Sequence, residues 1–444
     1  MKKIIALLLS FVLCMSLFAG CNANETPSET EAPQGKDYSA YAGIVADPKT
    51  WYEEFMALPI ANDNMTEDEL RQLCVDAFEA NLTFQWTPTK EITFVSTLHE
   101  NANQCTLPTG IAYSGLCYAT GIDNATGGTL WKVLPYYDPE TGAVDVEAMG
   151  NIAFVLNNMS SACANGVLQG WNRVSNSHNL IGMGTFNTQN SNIVPVGPYQ
   201  YDGYTYHQNF GSKTATDEII AANGETVMNE SLAQMKKADG LYSASSYHVM
   251  MCADDPVVVR WPDGTVDPDK SYVLAHEQRQ TGTLGDTLNY AQSNGVTLRP
   301  LGTVNNKYTF KQLLNTGYIP FTIKELIGQE PVEPGEAWLG SSTEPLENGT
   351  ELTVNKVFGQ TLYANYNICN LLVEVKNAEG TVLTSYYPRV TTDPKPNYYQ
   401  YSLRGLQQTD LLAPFADGSN TIHIYARLAN GELKEAFHTI LKMD

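Results

Sequence analysis

Hydrophobic positions divide the chain into a helical part, a helix-then-strand part and an all-strand part. Trp51-Tyr52-Glu53-Glu54-Phe55 is an aromatic helical stretch. Thr66-Glu67-Asp68-Glu69 is a capping box ahead of Leu70, Leu73, Ala77 and Phe78, which predicts a helix to about Asn81. The region from Gly150 to Val174 is also helical in pattern, and in its second half Cys163, Val167, Trp171 and Val174 share one face. Ser160 or Ser161 supplies an N-cap there, so Cys163 stands in the first turn. Glu225 to Ala238 is a further amphipathic helix.

After Asp239-Gly240 the period changes to that of strands. Tyr247–Met251, Pro256–Val259 and Ser271–Gln278 are extended, with a turn at Pro262-Asp263-Gly264. Helices followed by strands predict an α+β domain whose antiparallel sheet packs on the Cys163 helix. Phe310–Leu326 closes it with a short helix, and Gln329–Gly335 reads as a Pro/Glu linker. Beyond it lie six strand-like runs: Glu351–Phe358, Leu362–Val375, Thr381–Tyr387, Tyr398–Leu403, Thr421–Arg427 and Leu433–Leu441. Turn signals separate them, as expected of a small sandwich, Ig-like in the loose sense. That part shows no catalytic cluster.

The N-terminus adds a compartment. Met1-Lys2-Lys3 is a basic start, Ile4 to Leu17 an apolar run too short to span a bilayer, and Leu17-Phe18-Ala19-Gly20-Cys21 closes it. This layout resembles the signal and lipobox of bacterial lipoproteins, which implies cleavage before Cys21 and a diacylglycerol on its sulfur. Residues 22–36 read as a flexible tether. The division is therefore signal 1–20, lipidated cysteine and tether 21–36, main domain 37–328, linker 329–336 and β-sandwich 337–444. With 26 basic against 48 acidic residues the chain carries −22, without a basic cluster, which argues against nucleic acid. The cysteines show no C-x-x-C pair and no zinc spacing, so no metal and no cofactor is expected; Cys105 with Cys117 is one conceivable disulfide.

Candidate chemistry centres on Cys163. A thiol in the first turn lies beside unpaired N–H groups and the positive end of the helix dipole, both of which favour thiolate. A cysteine hydrolase also needs an imidazole facing the sulfur and a polar group orienting that imidazole. In chain order these are Cys163, then His248 on an apolar strand, then His276 on a later one. Gln278 shares strand parity with His276 and is a second choice for the third role; Glu277 points the other way on a regular strand. Cys117 is a competing thiol without a helix start, and His178 and His207 lie in loops. The Tyr-rich run Tyr199, Tyr201, Tyr204 and Tyr206 could line a groove. Asp254, Asp255, Asp263, Asp267 and Asp269 lack the spacing of a calcium loop and read as turns.

Tyr113 to His276 resembles the NlpC-type papain-like cysteine peptidases of bacterial cell walls. The Tyr-x-Gly-x-x-Tyr approach segment is matched by Tyr113-Ser114-Gly115-Leu116-Cys117-Tyr118, the nucleophile helix by Cys163 to Trp171, and the turn and His-Val strand start by Lys237-Ala238-Asp239-Gly240 and His248-Val249. The resemblance implies a papain-like fold, with Cys163 the nucleophile, His248 the base, His276 the orienting group, and Tyr118 and Trp171 near the substrate. Departures are the alanines flanking Cys163 (Ala162 and Ala164), an Asp-Gly in place of Gly-Asp, and longer separations between the three site residues. The expected activity is hydrolysis of peptide or amide bonds of peptidoglycan by a membrane-anchored extracytoplasmic protein. The alternatives are a non-catalytic lipoprotein whose papain-like shell binds wall peptides or glycans, and an adhesive lipoprotein acting through its sandwich.

Overall fold

The computed structural model describes residues 46–95, 104–118, 129–150, 155, 159–177, 180, 192–200, 215–278, 298–300, 303–387, 399–404 and 420–442. Cys21, His178, His207, Tyr201, Tyr204 and Tyr206 lie outside them. The chain is a mixed helix-and-sheet protein with several antiparallel sheets. No helix among the described residues is long and apolar enough to cross a membrane.

Helix α1 (Pro48–Ala57) starts at Asp47, whose carboxylate accepts the Thr50 N–H. Helix α2 (Glu67–Thr83) carries the capping box read from Thr66 and Glu69. Strands β1 (Gln85–Pro88) and β2 (Ala112–Ser114) belong to a small five-stranded sheet. Next, β3 (Cys117–Tyr118) pairs in parallel with β4 (Ser160–Ser161), and α3 (Cys163–Trp171) follows at once. The serine cap expected for α3 is not made. Ser160 and Ser161 are taken into β4, the N-cap is Ala162, and no side chain closes the first turn.

Six strands form the main sheet: β5 (Ile193–Pro195), β6 (Gly240–Ser243), β7 (His248–Cys252), β8 (Tyr272–Glu277), β9 (Thr303–Thr309) and β10 (Tyr318–Ile323). Their order is β9-β8-β7-β6-β10-β5, antiparallel throughout. Helices cover both faces. Tyr242, Val249, Met251, Ile319 and Phe321 pack with α2 and α3. Leu241, Met250, Cys252 and Val273 pack with α4 (Glu225–Ala233) and α5 (Phe310–Asn315). A strand buried on both sides has no polar alternation, which is why Val249-Met250-Met251 is an unbroken apolar run. The stretch Pro256–Val259 makes only an isolated bridge, Val257 to Tyr272, rather than the strand its pattern predicts.

Two glycines let α3 sit close. A Cβ at Gly166 would meet the Phe78 ring at 2.2 Å, and one at Gly170 would meet the Cys74 carbonyl oxygen at 2.5 Å and Met251 Cε at 2.8 Å. Backbone cannot step aside as a side chain can. Gly170→Ala should therefore destabilise the fold: overpacking costs about 1–3 kcal/mol, which exceeds the helix-propensity gain of roughly 1 kcal/mol. A lower midpoint in urea unfolding is the expected result, and an unchanged midpoint would contradict the close packing. A buried ion pair joins α2 to the turn before β6, with Arg71 Nη1 2.7 Å from Asp239 Oδ1.

Residues from 337 onward form a three-stranded and a five-stranded sheet. The larger holds β11 (Ile368–Lys376), β12 (Val382–Tyr386), β13 (Thr421–Leu428) and β14 (Leu433–Lys442) in the order β14-β13-β11-β12, with Leu352–Thr353 beyond β14. Leu339 and Leu362 of the smaller sheet share one core with Val373, Ile424 and Phe437 of the larger. Where a strand is expected at Glu351–Phe358, only Leu352–Thr353 is extended. Val354–Phe358 is a short helix, because Val354, Val357 and Phe358 reach that core at helical spacing.

The two parts of the chain share a boundary with its own packing. Cys369 and Ala429 join the core that contains Trp86 and Trp131. The indole of Trp131 lies 4.5 Å from the Arg427 guanidinium and 5.9 Å from that of buried Arg173, and its carbonyl accepts from Asn370 Nδ2 at 3.0 Å. The linker is pinned as well: Tyr366 Oη donates to the Glu333 carbonyl and Asn365 Nδ2 to that of Pro334, both at 2.8 Å.

Candidate active site

Cys163 opens α3, and His248 opens β7. The helix start meets the strand start there, and the groups that act on the sulfur are the His248 imidazole and the backbone N–H groups of Val249 and Ala164. Burial alone would raise the thiol. The hydrogen bond and charge of His248, followed by those two backbone donors, outweigh it and pull Cys163 below the ordinary thiol range. For His248 burial again disfavours charge, and the sulfur of Cys163 and then the carboxylate of Glu277 overcome it, pushing the imidazole up to about 9. Both shifts run in the direction of a thiolate–imidazolium pair. Three other buried thiols behave oppositely, since burial pushes Cys74, Cys252 and Cys369 up.

The third position belongs to Glu277, not His276. His248 Nε2 lies 3.1 Å from Glu277 Oε2, which leaves Nδ1 as the nitrogen for the sulfur. Register explains the difference. Met251 of β7 pairs with His276 of β8, so Glu277 lies one step along, on the face that His248 shares with Met250 and Cys252. His276 shares the opposite face with Met251. There its ring meets Phe78 edge-on at 6.0 Å, and Nε2 lies 3.3 Å from Glu79 Oε2.

Strand β9 completes the network through a bulge. Ala275 pairs with Asn306 but Glu277 with Thr303, so β9 carries one extra residue. Asn305, at φ +51°, occupies this bulge and donates its N–H to His276 Nδ1 at 3.3 Å. His276 thus serves the backbone of the bulge. The next residue, Asn306, donates from Nδ2 to Glu277 Oε1 at 2.6 Å, and Tyr308 Oη donates to the same oxygen at 2.7 Å. Glu277 is fully buried, with both oxygens engaged. Such a carboxylate holds one tautomer and one ring orientation of its histidine.

Gln278, the second choice for the orienting role, is also fully buried and turned elsewhere: Nε2 donates to the Leu116 carbonyl at 2.9 Å. It anchors the Tyr113–Tyr118 segment from one side, while Trp86 Nε1 holds the Gly115 carbonyl at 2.9 Å from the other. Tyr118, at the end of that segment, pairs with Ser161, two residues before Cys163. Trp171 is not available to a ligand. It is fully buried, donates Nε1 to the Ala238 carbonyl at 2.8 Å, and lies beneath Gly240.

Cys117 is a buried cysteine on β3 in the core of Trp86 and Trp131, and the side chain of Cys105 lies outside the described residues. Tyr199 is buried and donates Oη to the Pro320 carbonyl at 2.8 Å, so it supports β10 rather than lining a groove. Asp263 and Asp267 accept from nearby backbone N–H groups, the turn role expected for the aspartate run. Compared with known proteins, the chain matches no family model and no curated sequence.

Proposed function

We propose that the protein is a cysteine hydrolase of papain-like, NlpC-related type that cleaves peptide or amide bonds of peptidoglycan. The observation that carries this reading is the Cys163–His248–Glu277 array, in which sulfur and imidazole shift each other toward the charged pair. The thiolate attacks the substrate carbonyl, forming a C–S bond, and backbone N–H groups at the uncapped start of α3 receive the oxyanion. His248 gives its proton to the departing nitrogen as the C–N bond breaks. Water, deprotonated by His248, then hydrolyses the thioester and regenerates the thiolate. Glu277 keeps the ring oriented, and Tyr118 borders the substrate.

A lipid on Cys21 would anchor the chain on the extracytoplasmic side of the membrane. The Ig-like sandwich would hold the main domain against the wall. The test is to incubate the full chain with peptidoglycan stem peptides and measure newly released amines. Wild type should release them and Cys163→Ala should not. Equal release by both would assign the cleavage to something else.

One observation favours the non-catalytic reading: Cys163 is only 4% exposed and lies between two alanines. In that case the stem peptides would bind, measured by calorimetry, with no cleavage by either protein.

A further inference from the structure

We propose that the C-terminal sandwich carries a divalent transition-metal site, suited to Zn2+, built from His423, Glu435 and His438. This is independent of the hydrolase reading. The three residues stand on the larger sheet, on the face away from the sandwich core: along β13, Ile422, Ile424 and Ala426 are buried while His423 and Tyr425 alternate outward. His423 pairs directly with His438 across β13 and β14. A bulge brings in the third member. Ile424 pairs with Phe437 but Tyr425 with Glu435, so Ala436 is the extra residue of β14. Residues three apart on a regular strand face opposite ways; across this bulge Glu435 and His438 face the same way.

One candidate ligand atom from each residue lies within 4.8 Å of the other two. Glu435 Oε1 is 2.5 Å from His423 Nδ1, and Oε2 is 3.1 Å from His438 Nδ1. A tetrahedral zinc with bonds of about 2.0–2.1 Å separates its ligand atoms by roughly 3.3 Å. An ion can therefore take the place of the two N–H protons with small side-chain adjustments. Imidazole and carboxylate donors suit zinc and its neighbours rather than magnesium or calcium. The outer partner of one ligand is already in place: Thr421 Oγ1 lies 3.0 Å from His423 Nε2, ready to accept its N–H once Nδ1 binds metal.

Three protein ligands at a half-exposed site leave a fourth position to water or to an oxygen of a bound molecule. The ligands sit on paired strands, so binding requires no folding of the chain.

The test is zinc competition against a chromophoric chelator with the full chain in a Cys163→Ala background, which removes the thiolate–imidazole pair as a rival zinc site. One Zn2+ per chain should bind. His438→Ala and Glu435→Gln should each weaken binding at least about tenfold, with unchanged circular dichroism. Co2+ should give the intense visible bands of a tetrahedral site, and His438→Ala should lose them. Absence of zinc binding in the parent, or binding that both substitutions leave unaltered, would overturn the site.

Discussion

In the His248→Ala protein, alkylation of Cys163 by iodoacetamide at pH 6 should slow by roughly a hundredfold relative to wild type. Without the imidazole, the backbone donors of Ala164 and Val249 remain, but burial now dominates and the thiol returns to the ordinary range or above. A thiol with a pKa of about 8.5 is only ~0.3% ionised at pH 6. The full ratio is not expected, because a less basic thiolate is also a weaker nucleophile. The wild-type pH profile should have two edges. Cys163 is lowered, so thiolate persists below the ordinary thiol range and is lost as pH falls through that depressed value. His248 is raised to about 9, so imidazolium persists up to that pH and is lost above it. The two steps belong to the pair rather than to either residue. Hydrolysis should therefore decline above about pH 9, and a rate of labelling indifferent to His248 would remove the chemical basis of the proposed function.

Glu277→Ala should lower hydrolysis by roughly 100-fold while the protein stays folded. The carboxylate makes no contact with sulfur; its work is to hold the imidazole, and misplacement by about 1 Å costs on the order of 10²-fold. Its loss also removes one of the influences that raise His248, so the alkaline edge should move below its wild-type position near 9. Glu277→Gln should recover part of the rate, since an amide oxygen can still receive Nε2–H, but should not recover the alkaline edge, since the charge is gone. A merely structural role would leave that edge unmoved in both variants. His276→Ala makes the contrast, because His276 contacts the bulge and α2 instead.

Much of this site is legible in the sequence. Helical spacing puts Cys163 on the buried face of a helix, and an unbroken apolar run puts His248 on a core strand; the structure has both, with Cys163 opening the helix and His248 opening the strand. The third member is illegible for a definite reason. Parity separates His276 from Glu277, but it does not say which of the two faces His248. That depends on the Met251–His276 register, set across the excursion from Ala253 to Ser271. Trp171 misleads for a related reason: every residue of α3 is buried, so its aromatic position marks core rather than a binding wall. The His423–Glu435–His438 cluster is invisible to a period-two reading, which assigns Glu435 and His438 to opposite faces. In the aspartate run, by contrast, Asp263 and Asp269 lie in turns, as their setting in the sequence suggests.

The shared grip of Arg173 and Arg427 on Trp131 bears on how such a chain can be inherited. Sandwich domains are often exchanged as loose cassettes, because nothing in the neighbouring domain depends on them. Here Arg427, Asn370 and Cys369, from the sheets beyond residue 337, reach an indole and a core built mostly from residues before it. A recombinant that acquired a different sandwich would leave that indole facing water and Arg173 without its cover. The two parts are therefore expected to descend together, and a homologue that keeps Trp131 should keep a cation at position 427.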